Sequence, residues 1–165
     1  MRWLPDGKRL LVCGNPPSAP SRSFVLDPAT KQATPVGAEG AWVGVPSPDG
    51  KRFATRSMDG WMLCSFADST DRRPIPGLTP ADEVIRWSPD GAALFCFRRG
   101  EVPCDVDRIE LPSGRRSTVT VVGDRDQAGL VSVLSVTLAD DLRTLAYAKW
   151  YYTSTLFTAT GSRRR

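Results

Sequence analysis

Trp87-Ser88-Pro89-Asp90-Gly91-Ala92-Ala93-Leu94 decides the reading of this chain, because the same phrase returns along it. Trp3-Leu4-Pro5-Asp6-Gly7-Lys8-Arg9-Leu10 opens the sequence, and Pro46-Ser47-Pro48-Asp49-Gly50-Lys51-Arg52-Phe53 repeats it. Leu138-Ala139-Asp140-Asp141-Leu142-Arg143-Thr144-Leu145 is a worn copy that has lost Pro and Gly. The turn residues Asp6, Asp49, Asp90 and Asp141 lie 43, 41 and 51 residues apart. A period of roughly 40–45 residues is the length of one four-stranded propeller blade.

The phrase has a physical reason. Proline presets φ at the first central position of a tight turn, aspartate bonds the nearby backbone, and glycine supplies φ > 0 without a Cβ penalty. Apolar residues on both sides then pair as two antiparallel strands, A and B. Asp6, Gly7, Asp49, Gly50, Asp90 and Gly91 are therefore structural turn residues. Trp3 and Trp87, at one phase of the repeat, are read as packing residues of the same kind.

Each turn is followed by the same program. Blade one reads as a stub of A at Arg2–Leu4, then B at Arg9–Cys13, C at Ser23–Leu26 and D at Gln32–Val36. Blade two reads as Ala41–Val45, Phe53–Arg56, Trp61–Phe66 and Arg72–Ile75, and blade three as Glu83–Trp87, Ala93–Phe97, Asp105–Leu111 and Ser117–Val122. Blade four reads as A at Val131–Leu138, B at Thr144–Ala148 and C at Thr155–Ala159, with no D. The expectation is an all-β chain of about four four-stranded antiparallel blades forming part of a propeller. The blades cover about 1–37, 41–77, 83–122 and 131–161 of a repeat region 1–161, followed by a basic tail, 162–165. Six blades at this period would need roughly 250 residues, so closure is the open question.

Composition narrows the chemistry. The chain has 165 residues, 41% of them hydrophobic and 24% charged, which suits a packed core. It contains 0 histidines, which removes Ser-His-Asp and Cys-His catalysis and most zinc sites. Cys13, Cys64, Cys96 and Cys104 form no C-x-x-C pair; they read as small core or surface residues, with a Cys96–Cys104 disulfide as the alternative. The net charge of +4 is scattered and partly due to Arg163, Arg164 and Arg165, a solvated surface rather than a nucleic-acid stripe. Neither a signal peptide nor a run of about 18 apolar residues is present, so the chain as it stands reads as cytoplasmic with no membrane segment.

A hydrolase elbow G-x-S-x-G and the phosphate-binding glycine patterns are missing. Asp82, Glu83, Glu101, Asp124 and Asp126 offer paired carboxylates, all on expected loops, where solvated charge is the plain reading. Asp124-Arg125-Asp126-Gln127 is too sparse for calcium. Ser57-Met58-Asp59-Gly60 reads as a B–C turn. No catalytic residue, metal site or cofactor is assigned.

The Trp-Ser-Pro-Asp-Gly phrase resembles the repeat of TolB-like, or WD40-like, propellers. The order from Pro76-Gly77-Leu78-Thr79-Pro80 through Phe97-Arg98-Arg99-Gly100-Glu101 and Leu111-Pro112-Ser113-Gly114-Arg115-Arg116 to Leu156-Phe157-Thr158-Ala159-Thr160-Gly161 is more specific. It is similar to the C-terminal propeller of serine/threonine protein kinases of the acidobacterial type. That resemblance implies a kinase domain ahead of the propeller, often with a membrane segment between, which would place the propeller outside the cytoplasm. It implies no kinase activity here, since no H-R-D or D-F-G stands in the chain.

The functional expectation is a non-catalytic module that binds a ligand or protein, regulatory to a kinase. Two alternatives remain: a propeller detached from a prolyl-oligopeptidase-like hydrolase, and a gene fragment without function. A–B turns are short and stereotyped. The connections at the other end, Asn15–Ser21, Gly77–Asp82, Arg98–Pro103, Gly123–Gly129 and Lys149–Tyr152, differ from blade to blade, as a binding surface on a repeated scaffold does. The candidate binding residues are therefore Arg98, Arg99, Glu101, Asp124, Arg125, Trp150 and Tyr151.

Overall fold

In a computed structural model, which describes residues 1–123 and 130–158, the chain is built of antiparallel strands alone. The first sheet is β1 (Arg2–Trp3), β2 (Leu10–Gly14), β3 (Arg22–Asp27) and β4 (Gln32–Val36). The second is β5 (Val43–Pro46), β6 (Arg52–Ser57), β7 (Gly60–Ser65) and β8 (Arg72–Pro74). The third is β9 (Asp82–Trp87), β10 (Ala93–Arg98), β11 (Cys104–Glu110) and β12 (Arg116–Val122). In all three, spatial order follows chain order, and a two-stranded sheet of β13 (Leu130–Leu138) and β14 (Leu145–Tyr151) follows.

The turn chemistry read from sequence accounts for the A–B hairpins. Gly7, Gly50 and Gly91 have φ of 65°, 67° and 70°, and their N–H groups donate to the carbonyls of Leu4, Ser47 and Ser88 at 3.0, 3.0 and 2.9 Å. The worn copy closes the same way: Leu142 N–H donates to Ala139 O at 3.1 Å, with Leu142 at φ 56°. A leucine thus occupies the left-handed position that glycine holds elsewhere, a conformation that costs a non-glycine residue about 1–2 kcal/mol.

Sheets stack face to face through three apolar layers. Leu11 and Val36 meet Phe53 and Cys64 between sheets one and two. Val45, Ala54, Trp61 and Leu63 meet Val84, Trp87, Leu94 and Ile109 between sheets two and three. Ile85, Phe95, Phe97 and Val106 meet Val133, Val136 and Leu138 between sheets three and four. Trp87 is buried and donates its indole N–H to Val45 O of the preceding sheet at 2.9 Å; Trp61 donates to Asp82 O of the following one at the same distance. The inner strands pack on one another from sheet to sheet. This is a partial β-propeller with its first strands toward the axis.

Three expectations need correction, and the alternative of a Cys96–Cys104 disulfide falls away. Trp3 shares the phase of Trp87 but is 60% exposed, because no sheet of the described chain lies on the outer side of sheet one. Of strand C in blade four, Thr155–Thr158 belong to no strand, Leu156 and Phe157 are exposed, and Ala159 lies outside the described residues. Lys149, Trp150 and Tyr151, expected in a loop, are the last residues of β14. Cys96 and Cys104 are both free, and register explains it: Cys96 pairs with Asp107, while Cys104 pairs with Val122 on the far strand.

Candidate functional site

The A–B end of the stack is consumed by its own turns. Asp6 accepts from the N–H groups of Lys8 and Arg9 at 2.8 and 3.0 Å. Asp49 and Asp90 each accept from a serine hydroxyl, Ser47 at 2.6 Å and Ser88 at 2.5 Å, and from the N–H two residues on, at 3.0 Å. Asp141 accepts from Arg143 and Thr144 N–H at 2.9 and 2.8 Å. The Lys8 N–H, then the Arg9 guanidinium, pulls the Asp6 carboxyl down to about 2. The Ser47 and Ser88 hydroxyls, followed by backbone N–H groups, lower Asp49 and Asp90, and the Thr144 N–H leads the lowering of Asp141. Carboxylates held ionised in this way are structural anions, and none is poised to donate a proton near neutrality.

The opposite end carries charge that is not repeated from sheet to sheet. Asp82, expected on the loop before strand A, opens β9 together with Glu83, and Asp82 is 0% exposed. The connection from β8 to β9 crosses the β11–β12 turn so closely that a Cβ on Gly77 would meet Gly114 O at 2.2 Å. That connection is held from below. Arg116 donates to Gly77 O at 3.0 Å, to Asp82 at 2.8 Å and to Asp107 at 2.6 Å. Thr118 donates to the other oxygen of Asp107 at 2.9 Å, and Thr79 donates to Asp82 through its N–H at 2.6 Å and its hydroxyl at 2.8 Å. Burial works against the Arg116 charge, but its hydrogen bonds to Asp82 and Asp107 outweigh this and raise its pKa.

Arg98, last in β10, pairs in register with Asp82. Its Nε lies 3.6 Å from the Asp82 carboxylate, an ionic contact without a hydrogen bond, and its Nη1 lies 3.5 Å from Glu101. Arg99 is exposed beside it. Gly100 N–H donates to Val133 O at 3.3 Å, so the B–C turn of sheet three leans on β13. Across β13, Ser132 and Leu130 pair with Trp150 and Tyr151. The two groups of candidate residues thus share one end and are separated by β13. Lys149 Nζ lies 4.9 Å from the Tyr151 ring and 5.9 Å from that of Tyr147. Asp124, Arg125 and Asp126 lie outside the described residues.

Sequence reading missed a second cluster at this end. Arg56 bonds Glu83 at 3.0 Å and Pro80 O at 3.4 Å, and stacks 5.7 Å over Trp42. The available signal was charge at inward positions of apolar strands, as in Asp82-Glu83-Val84-Ile85. Cys96 and Cys104 add no nucleophile: burial, and then the nearby Asp82 charge, pushes Cys96 up to about 12, and burial pushes Cys104 up to about 11. Among the described residues, no group of three metal-ligating side chains is assembled. Among the same residues, no helix is long and apolar enough to cross a membrane.

No protein-family model matches the chain, and no curated protein matches it in sequence. Solved structures do match in shape. TolB from Acinetobacter baumannii superposes with a TM-score of 0.68 at 18% identity, over 88% of this chain and 36% of that one. Oligogalacturonate lyase from Vibrio parahaemolyticus gives 0.58 at 16% identity, over 92% and 45%. The Cps50 (Swd1) β-propeller domain from Myceliophteria thermophila gives 0.57 at 12% identity, over 90% and 47%. The chain spans less than half the length of each of these neighbours. Likeness at these identities shows the fold, a TolB-like propeller part, and one of these neighbours is named as an enzyme, the lyase.

Proposed function

We propose that this chain acts by binding, as the recognising part of a bacterial signalling protein of the serine/threonine kinase type, and that the end carrying the B–C and D–A connections is its recognition surface. One observation carries the reading. At the A–B end the aspartates serve the turns that repeat from sheet to sheet, whereas the opposite end presents guanidiniums, carboxylates and aromatic rings that do not repeat. Arg98, Arg99, Glu101, Trp150 and Tyr151 belong to that surface, and Asp124 and Arg125 are assigned to it from sequence. Ring faces and guanidiniums of this kind anchor peptide and glycan contacts. The kinase parentage rests on the sequence resemblance of the third and fourth repeats.

A panel of peptides, glycans and bacterial kinase segments tests it by calorimetry. A ligand found there should lose at least about fivefold in affinity in Arg98→Ala or Tyr151→Ala, a loss of about 1 kcal/mol. Binding that neither substitution changes would overturn the surface assignment.

A further inference from the structure

In sheets one to three the second strand is paired on both sides. β2 lies between β1 and β3, β6 between β5 and β7, and β10 between β9 and β11. β14, the second strand of sheet four, pairs with β13 alone. The chain's own continuation from Tyr152 to Thr158 belongs to no strand, so among the described residues the outer side of β14 has no strand against it.

This edge is unlike the other outer edges. β4 contains Pro35, β8 has 3 residues and ends on Pro74, and β12 carries an extra residue, Val119, opposite Val106 and Asp107. Short strands, prolines and bulges blunt an edge against pairing. β14 has 7 residues with no proline or glycine, and both irregularities of its ladder put the extra residue on β13. The direction of its main-chain groups follows from the turn before it. Ala139 N–H donates to Thr144 O at 2.8 Å, and bonded and unbonded pairs alternate along an antiparallel ladder. Thr137 and Ala146 are then the next bonded pair, while Leu145 and Tyr147 turn N–H and C=O outward. Leu145 and Tyr147 are also opposite Leu138 and Val136, on the face turned to sheet three.

We propose that β14 takes up an extended segment of a partner protein as an added antiparallel strand, in the place that β3, β7 and β11 hold in the other sheets. Hydrogen bonding selects this class of occupant, because an extended polypeptide matches the repeat of outward N–H and C=O groups along the edge. Sheet three selects its side chains. It contributes Cys104, Val106 and Val122 to the apolar layer shared with sheet four, so the segment would carry apolar residues at every second position and polar ones between. A second copy of this chain does not fit through its own β14. Twofold pairing turns the same face of both copies one way, so two third sheets, each four strands wide, would overlap above a joint sheet of four strands. The edge runs along the side of sheet four and is independent of the surface proposed at the strand ends.

The test uses the full chain and two labelled peptides of one sequence, valine alternating with threonine between lysine ends. A residue opposite Leu145 or Tyr147 faces sheet three and donates toward β14, so the valines supply the bonding N–H groups and the threonine N–H groups point away. The peptide N-methylated at its threonines should bind, and the one N-methylated at its valines should bind at least about tenfold more weakly. Amide exchange followed by NMR should be fast at Leu145 and Tyr147 in the chain alone and slow once the first peptide is added. Equal binding of the two peptides, or binding of neither, would overturn the proposal. So would slow exchange at Leu145 and Tyr147 without peptide, which would mean that the chain itself or a second copy already holds the edge.

Discussion

Sheets three and four begin with the same turn and diverge from there. In sheet three, Trp87 precedes a Ser-Pro-Asp-Gly turn, and four strands follow in order. In sheet four, Leu138 holds the tryptophan position, Ala139 replaces the serine, Leu142 replaces the glycine, and two strands pair among the described residues. The turn hydrogen bonds nevertheless match: Ser88 N–H to Ala93 O at 2.9 Å has its equal in Ala139 N–H to Thr144 O at 2.8 Å. Backbone geometry thus survives the loss of the residues that favour it. Among the described residues, the two sheets differ in what lies beyond the hairpin. Sheet three has a neighbour on each face. Against sheet four the described chain supplies only sheet three, and Leu134, Tyr147, Trp150 and Tyr151 remain exposed.

The sharpest way to break this comparison is to remove the charge network that sheet four lacks. Arg116→Met leaves the buried Asp107 without its cation, and Asp82 with only the 3.6 Å approach of Arg98. Losing one partner of such a network costs about 3–5 kcal/mol, and urea denaturation should show the loss. Full stability in Arg116→Met would mean that the network contributes nothing to holding the β8–β9 connection.

Next in size are the two equivalent core positions. Trp87→Ala should cost about 3–5 kcal/mol and Leu138→Ala about 2–5 kcal/mol, with the tryptophan change the larger because it also orphans Val45 O. Thermal unfolding of the pair measures the difference. A larger loss in Leu138→Ala would show that sheet four, despite its two strands, anchors the stack.

Smaller effects belong to the turns. Gly91→Ala should cost about 1–2 kcal/mol through its φ of 70° alone, because the added Cβ finds only ordinary contact with Pro48. Leu142→Gly should change stability by less than about 1 kcal/mol, since relief of the left-handed leucine is offset by the flexibility glycine adds to the unfolded chain. A chemical-denaturation midpoint that falls equally in both would remove the strain argument.

Acid titration makes the finest comparison. The four turn carboxyls lie below the ordinary 3.8, Asp6 at about 2. A carboxyl lowered by folding contributes stability above its unfolded pKa, and the contribution fades as pH falls through the folded value. The thermal midpoint should therefore fall between pH 4 and pH 2. Asp90→Asn and Asp141→Asn should each flatten that fall slightly, and to a similar degree if the worn turn is electrostatically intact.

The legible part of the fold was local. β4 has the bounds read from sequence, and the strands of sheets one to three start within two residues of expectation. Thr155–Thr158 misled because a run of β-favouring residues pairs only where a partner edge and a covering sheet exist. At the candidate site, loop variation put Arg98 and Glu101 together at the B–C turn of the third repeat, and they stand together there; their part in binding is the proposal made above. The Arg116–Asp82–Asp107 network was not legible, because its members come from three strands and charged residues in sequence look alike whether solvated or enclosed.

By itself, then, the sequence determined the repeat, the A–B turns, the antiparallel hairpins and the alternation that marks an all-β chain, since each depends on residues within a few positions of one another. Only the tertiary structure decided that Trp87 is buried while Trp3 is exposed, and that Asp82 is enclosed and bonded to Arg116. Those outcomes depend on which sheet packs against which face, and burial and pairing are set by neighbours some forty or more residues away along the chain as much as by the residue itself.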